Sequence, residues 1–132
     1  MIERGNKDWC LMSRPRLDFI KETPRSSEFD DDYYSPEDGL EESSYVFIEG
    51  GDVINRMQAL RAGETLTIAE LGLGTALNLA LILQAWSEHG PAGARCHVIT
   101  VEKYPLSRSQ LRTASARWTS LNQEFETILQ RW

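Results

Sequence analysis

Thr65-Leu66-Thr67-Ile68-Ala69-Glu70-Leu71-Gly72-Leu73-Gly74-Thr75 is the stretch on which the fold turns. Its first seven residues are β-branched or apolar for the most part, which predicts a short buried strand. The strand runs straight into a glycine-rich turn. From Ala76 to Trp86 nine of eleven residues are then apolar, with only Asn78 and Gln84 polar. A helix that apolar almost all round has to be covered on most sides. Gly90-Pro91 ends it. Cys96-His97-Val98-Ile99-Thr100-Val101-Glu102 reads as a second buried strand that closes, like the first, on a carboxylate. Strand, helix and strand in that order predict an α/β fold with a parallel βαβ unit. Ser107 is placed to cap a further helix to about Arg117, and Leu121 to Trp132 has the spacing of another amphipathic helix.

The glycines matter because they lie where strand gives way to helix. Gly72 permits a sharp turn, and Gly74 is expected to let a ligand approach the backbone closely. The helix beyond offers free N–H groups and a positive dipole end. Glu102, at the end of the neighbouring strand, can accept both hydroxyls of a ribose, so loop and carboxylate together read as a nucleoside site. On the residues alone, a tight turn with no ligand is the other reading. Leu77 stands where the third glycine of a dinucleotide fingerprint belongs, which counts against a nicotinamide-dependent reductase. A ligand with an adenosine and no pyrophosphate needs less of a phosphate cradle. Glu70 is expected at a strand end facing the same crevice. Asn78, a polar group on an apolar helix, needs a partner either in the core or in a ligand.

Upstream, Leu17-Asp18-Phe19-Ile20 predicts a short strand that turns near Thr23-Pro24 and returns through Ser26 to Phe29. Ser35 or Asp38 can cap a helix beginning near Glu37. Tyr45-Val46-Phe47-Ile48 supplies an apolar block that Gly50-Gly51 stops, and Asp52 to Leu60 predicts a second short helix with Val53, Met57 and Leu60 on one side. At 132 residues the chain is one domain at most, and its 41% hydrophobic content suffices for one core. No apolar run approaches the ~20 residues of a membrane-spanning helix, and the first residues lack a hydrophobic signal region. A cytoplasmic protein without membrane association is therefore expected. Cys10 and Cys96 have no metal or redox spacing and read as two reduced thiols, with no metal site.

The net charge of −6 is unevenly spread. Residues 28–42 carry eight acidic and no basic side chains, whereas residues 43–132 carry eight of each. That excludes a uniformly basic nucleic-acid surface, but Lys103, Arg108, Arg112 and Arg117 form a local stretch with no acidic residue among them. The stretch reads as a solvated helix face or as a phosphate contact. In the acidic run, the interleaved Phe29, Tyr33 and Tyr34 are expected to pack on something, as loop aromatics do.

Several of these segments occur in an order that resembles one family. They are Phe29-Asp30-Asp31-Asp32-Tyr33-Tyr34-Ser35, Gly39-Leu40-Glu41-Glu42, Tyr45-Val46-Phe47, Glu70 through Asn78, and Val101-Glu102-Lys103-Tyr104-Pro105-Leu106. Over residues 17–132 the chain is similar to the methyltransferase domain of the MnmC/MnmD family, which acts on 5-aminomethyl-2-thiouridine at the wobble position of tRNA. The resemblance implies a Rossmann-like S-adenosylmethionine-dependent methyltransferase fold, tRNA as partner, and in many members a fused flavin oxidoreductase domain. It implies that Gly72, Gly74 and Asn78 line the methionine side of the cofactor, with Glu70 among the cofactor-binding residues. Glu102 would hold the ribose with Lys103 beside it, and Asp32, Tyr34, Ser35 and Tyr45 would border the site. No catalytic residue is assigned. Ala76 departs from the family, which usually has a glycine there, and a modest loss of affinity is expected.

Family members continue through further strands, so the chain is expected to be a truncated domain. Residues 1–36 would form an N-terminal strand and loop extension, and residues 37–132 the helices and βαβα cofactor-binding half. A purely parallel sheet needs both faces covered, and one apolar helix cannot cover two. The open edge calls for a complementing chain, a homo-oligomer, or residues 17–60 folded into the gap. A non-catalytic binding or assembly module is therefore the alternative to the enzyme.

Overall fold

The computed structural model describes residues 15–20, 23–35 and 38–132. Cys10 and Glu37, both used in the sequence reading, lie outside them. The described chain opens with three short strands, β1 (Leu17–Ile20), β2 (Thr23–Ser26) and β3 (Asp31–Asp32), paired antiparallel in that order. Leu17 faces Ser26 and Ile20 faces Thr23, as the expected hairpin requires. The acidic run returns as β3 because a basic side chain gathers it: the Arg25 guanidinium donates to Asp30 at 2.8 Å and to Asp32 at 3.2 Å.

Helix α1 (Gly39–Ser43) runs directly into a π-helical segment, Ser44–Glu49, in which the Gly50 N–H bonds to the Tyr45 carbonyl. Asp38 holds the cap position of α1 but its side chain makes no capping bond, contrary to expectation. The acidic first turn, Glu41 and Glu42, favours the helix start instead. Helix α2 (Val53–Gln58) buries Val53 and Met57, the face its spacing predicts.

Strand β4 (Thr65–Leu71), helix α3 (Leu77–His89) and strand β5 (Arg95–Val101) form the parallel βαβ unit, in register from Thr65 opposite Arg95 to Leu71 opposite Val101. Helix α4 (Arg108–Ser115) starts on a capping box, in which Ser107 and Gln110 exchange side-chain and backbone bonds of 3.2 and 2.8 Å. A short 3₁₀ turn, Thr119–Leu121, leads into α5 (Asn122–Arg131). The Trp132 indole then ties the end of the chain to the Leu106 carbonyl at 2.8 Å.

Met57, Ile82, Leu111, Leu121 and Leu129 make the centre of one core, contributed by α2, α3, α4, the 3₁₀ turn and α5. Leu66, Ile68, Cys96 and Val98 of the sheet pack against it. The intervening residues do not. Leu71 is 90% exposed and Val101 55%, and Thr65, Thr67, Ala69, Arg95, His97 and Ile99 are exposed with them. The strands are thus buried on one face only, which corrects the expectation of two buried strands. Side chains alternate across a strand, so helices gathered on one side cover every second residue. The described part of residues 17–60 packs on the helices through α1, the π-helical segment and α2, and leaves the open face exposed.

Candidate functional site

At the C-terminal ends of β4 and β5 the covered face changes from apolar to polar. Ile68 and Val98 give way to Glu70 and Thr100, which face each other in register, and then to Glu102. Glu70 is only 7% exposed. Its Oε1 accepts from the Asn78 amide at 2.9 Å, so Asn78 finds its partner in this carboxylate. Glu70 Oε2 and Thr100 Oγ1 are both buried and have no hydrogen-bond partner among the described residues. Burial pushes the Glu70 carboxyl above its ordinary range, and the nearby Glu102 charge adds to the effect, while Asn78 and Thr100 oppose it. A buried carboxylate oxygen left unpaired is costly, and the hydroxyl of Thr100, which counters the shift, is the donor beside it.

Between the two carboxylates lies the glycine turn. Gly72 has φ +89° and Gly74 φ +53°, so both need the left-handed region. Their surroundings differ. A side chain at Gly72 would meet nothing within 4 Å, whereas one at Gly74 would lie 3.3 Å from the Tyr33 ring. The close neighbour at Gly74 is therefore part of the protein, and the glycine facing open space is Gly72. This reverses the roles read from the sequence. Ala76, which precedes α3, also has a positive φ of 60° while fully buried. Glycine suits such a position for conformational reasons, which gives the departure at Ala76 a physical meaning. Helix α3 begins with no side-chain cap.

Glu102 is engaged by backbone. Its Oε2 accepts from Gly74 N–H at 2.9 Å and its Oε1 from Tyr104 N–H at 2.8 Å. It fixes the glycine loop against the start of the next segment, and each oxygen keeps further accepting capacity for a diol. The structure thus brings together Glu70, Gly72, Gly74, Asn78 and Glu102.

The other predicted residues have different work. Lys103 places its ammonium 5.0 Å from the centre of the Tyr104 ring, and Asp32 pairs with Arg25. Tyr34 stacks edge-on against Trp118, lies under the Arg117 guanidinium and donates to the Ala114 carbonyl at 3.2 Å. That makes it a buttress between hairpin and α4. Ser35 follows it, half-buried. Tyr45 is exposed on the π-helical segment, and no described hydrogen bond or ring contact ties it to the cluster. The local basic stretch is dispersed as well: Arg112 pairs with Glu126 of α5 at 3.0 Å, and Arg117 donates to Thr23 at 3.2 Å. An acidic partner distant in sequence is invisible in a reading of 103–117 alone.

Tyr33 falls inside the Asp32–Ser35 segment expected to border the site without being singled out in it, and the interleaving of aromatics with the acidic run pointed to packing there. Burial raises its phenol above the ordinary range, and the Glu102 charge adds to the shift. Phe29 packs on Tyr104 at 5.3 Å between ring centres, so two aromatics of the acidic run lie against the site segment.

These elements define a mixed α/β protein with a parallel βαβ unit and a polar cluster at the strand ends. Its fold is that of MnmC2 from Aquifex aeolicus, with a TM-score of 0.63 at 19% identity over 92% of this chain and 38% of that one. No protein-family model matches. Among curated proteins, the tRNA 5-methylaminomethyl-2-thiouridine biosynthesis bifunctional protein MnmC of Pseudomonas fluorescens (strain Pf0-1) is 41% identical over 92% of this chain. The MnmC proteins of Legionella pneumophila (strain Corby) and Pseudomonas entomophila (strain L48) are each 38% identical, over 88% and 100% of it. The chain belongs to the MnmC family, and it spans 18–19% of the length of these relatives.

Proposed function

We propose that the chain is part of a Rossmann-like, S-adenosylmethionine-dependent methyltransferase of tRNA wobble-uridine modification, with residues 37–132 as its cofactor-binding half. The observation that carries the reading is the glycine turn held between the buried Glu70, bonded to Asn78, and Glu102, which takes the Gly74 N–H, with Gly72 facing open space. The relatives' printed function in 5-methylaminomethyl-2-thiouridine biosynthesis supports tRNA as substrate and the cytoplasm as its place. S-adenosylmethionine would supply an electrophilic methyl group on a sulfonium, which an amine can attack without a protein nucleophile.

The residues present suit such a ligand. Glu70 places a carboxyl at the floor of the site, and Glu102 has accepting capacity for ribose hydroxyls. Gly72 leaves room for the ligand to approach the backbone. The chain's part is to bind, orient and desolvate, since in-line positioning carries most of the rate in such transfers. The test is isothermal titration of S-adenosylhomocysteine into the chain. Binding is expected in the micromolar range and is lost in Glu102→Ala; a folded chain that gives no heat refutes the reading.

A second reading, a binding or assembly module completed by another chain, is supported by the apolar end of the open sheet face at Leu71, Ile99 and Val101. A cleft of about 360 Å³ along β4, lined by Val46, Phe47, Arg56 and Ile68 among others, adds to that support. It predicts a dimer or larger complex by light scattering, and a strictly monomeric chain that binds cofactor rules it out.

A further inference from the structure

Four of the five residues Glu28-Phe29-Asp30-Asp31-Asp32 are acidic, and they make the turn and strand that bring Phe29 and Tyr33 to the site. The Phe29 ring centre lies 5.3 Å from that of Tyr104, whose N–H holds Glu102. The Tyr33 ring lies 3.3 Å from where a side chain on Gly74 would begin, and the Glu102 charge reaches its phenol. The hairpin that carries both aromatics is short. Strand β3 meets β2 at two positions only, Arg25 opposite Asp32 and Ser26 opposite Asp31. Carboxylates crowded into one turn repel each other, and a two-residue strand opposes that repulsion weakly.

Arg25 opposes it. Its Nη2 donates to the Asp30 carboxylate at 2.8 Å and to the Asp30 carbonyl at 2.9 Å, while Nη1 reaches Asp32 at 3.2 Å. Asp30 has a φ of +53°, so the guanidinium fastens the residue of the turn with the least favourable backbone. Among the described residues, the ion pairs of the acidic run are both made with Arg25. One exposed ion pair contributes little, but a planar fork that takes two carboxylates and a carbonyl fixes a geometry.

We infer that Arg25 is a positioning residue for the candidate site: by neutralising the acidic turn from outside, it seats Phe29 against the segment after β5 and Tyr33 against the glycine turn. That those two loops bind a nucleoside rests on the proposed function; the seating does not. Without Arg25 the turn keeps its four carboxylates and loses the cation that gathers them. The hairpin then opens locally, and the loops that carry Gly74 and Glu102 lose their aromatic neighbours while the helical core stays intact.

The experiment compares amide hydrogen exchange and ¹H–¹⁵N spectra of the full chain in wild type, Arg25→Ala and Arg25→Lys. The Tyr33 N–H, bonded to the Pro24 carbonyl at 3.0 Å, reports the hairpin, Gly74 reports the glycine turn, and Ile82 reports the core. In Arg25→Ala the Tyr33 amide is expected to exchange about tenfold faster, the scale of one charge-assisted hydrogen bond lost. The Gly74 resonance should shift with it, and Ile82 should keep its wild-type rate. Raising NaCl to about 0.5 M should return part of the lost protection, because it screens the repulsion left behind. Arg25→Lys restores the charge without the fork and should fall between the other two. Equal acceleration at Ile82, an unmoved Gly74 resonance, or a lysine variant no better than alanine overturns the inference. Titration with S-adenosylhomocysteine in the same samples keeps the two ideas apart. A weakening of about threefold or more is expected in Arg25→Ala, and undiminished affinity overturns the positioning role. A wild type that gives no heat refutes the nucleoside reading, while the exchange rates still decide the seating.

Discussion

The two faces of the β4–β5 sheet are built from the same fourteen residues and have opposite fates. On one, Leu66, Ile68, Cys96 and Val98 pack against the helical core, and the polar pair Glu70 and Thr100 follows at the strand ends, with Glu102 just beyond β5. On the other, polar residues come first, at Thr65, Thr67, Arg95 and His97, and apolar ones last, at Leu71, Ile99 and Val101. Each face changes character at about the same level, in opposite directions. The covered face ends in a desolvated polar cluster, because apolar packing lies directly beneath it. The open face, apolar at that end, is shaped for contact and not for chemistry.

The comparison breaks most severely on the covered side. Ile82→Ala removes a fully buried side chain of α3 and should cost about 3 kcal/mol, read as a fall in the urea midpoint. If the loss is under about 1 kcal/mol, the core is not packed as described.

Glu70→Gln sharpens the contrast in the other direction. A glutamine can accept from Asn78 and donate to Thr100, satisfying both orphaned atoms. The native carboxyl is raised in the fold, so its favourable contribution is complete below the unfolded carboxylate value and is lost as pH rises through the folded one. The variant should therefore be more stable than wild type by about 1 kcal/mol at pH 7–8 and show no advantage near pH 4, in paired thermal melts. An equal gain at both pH values would mean that ionisation of Glu70 is not involved.

At the junction between strand and helix, Ala76→Gly removes a left-handed strain at the expense of a buried methyl and of backbone entropy. A net gain of about 0.5 kcal/mol is expected by chemical denaturation. A clear destabilisation would show that the methyl contact outweighs the strain.

The smallest effect belongs to the open face. Ile99→Thr should change unfolding free energy by less than about 0.5 kcal/mol while lowering self-association in sedimentation. A loss as large as that of Ile82→Ala would mean that the open face is covered in solution.

Much of this was legible in the sequence wherever the signal was local and repeated. The βαβ order, the Ser107 cap, the Gly90 stop and the Val53–Met57 face follow from spacing, and each is seen. At the site, the loop and its two carboxylates could be read because all three sit at strand ends. Tyr33 and Tyr34 could not be told apart, since adjacent aromatics of one loop differ only in what lies beside each. One packs on Gly74, the other on Trp118.

By itself the sequence determined the alternation of strand and helix and the positions of Glu70, Gly72, Gly74 and Glu102, because hydrogen-bonding periods and glycine conformations are properties of a few neighbouring residues. Only the tertiary structure decided which sheet face is covered, that Arg112 meets Glu126, and that Gly72 is open while Gly74 lies against a ring. Those are contacts between segments far apart along the chain, and such contacts are set by how the whole core packs.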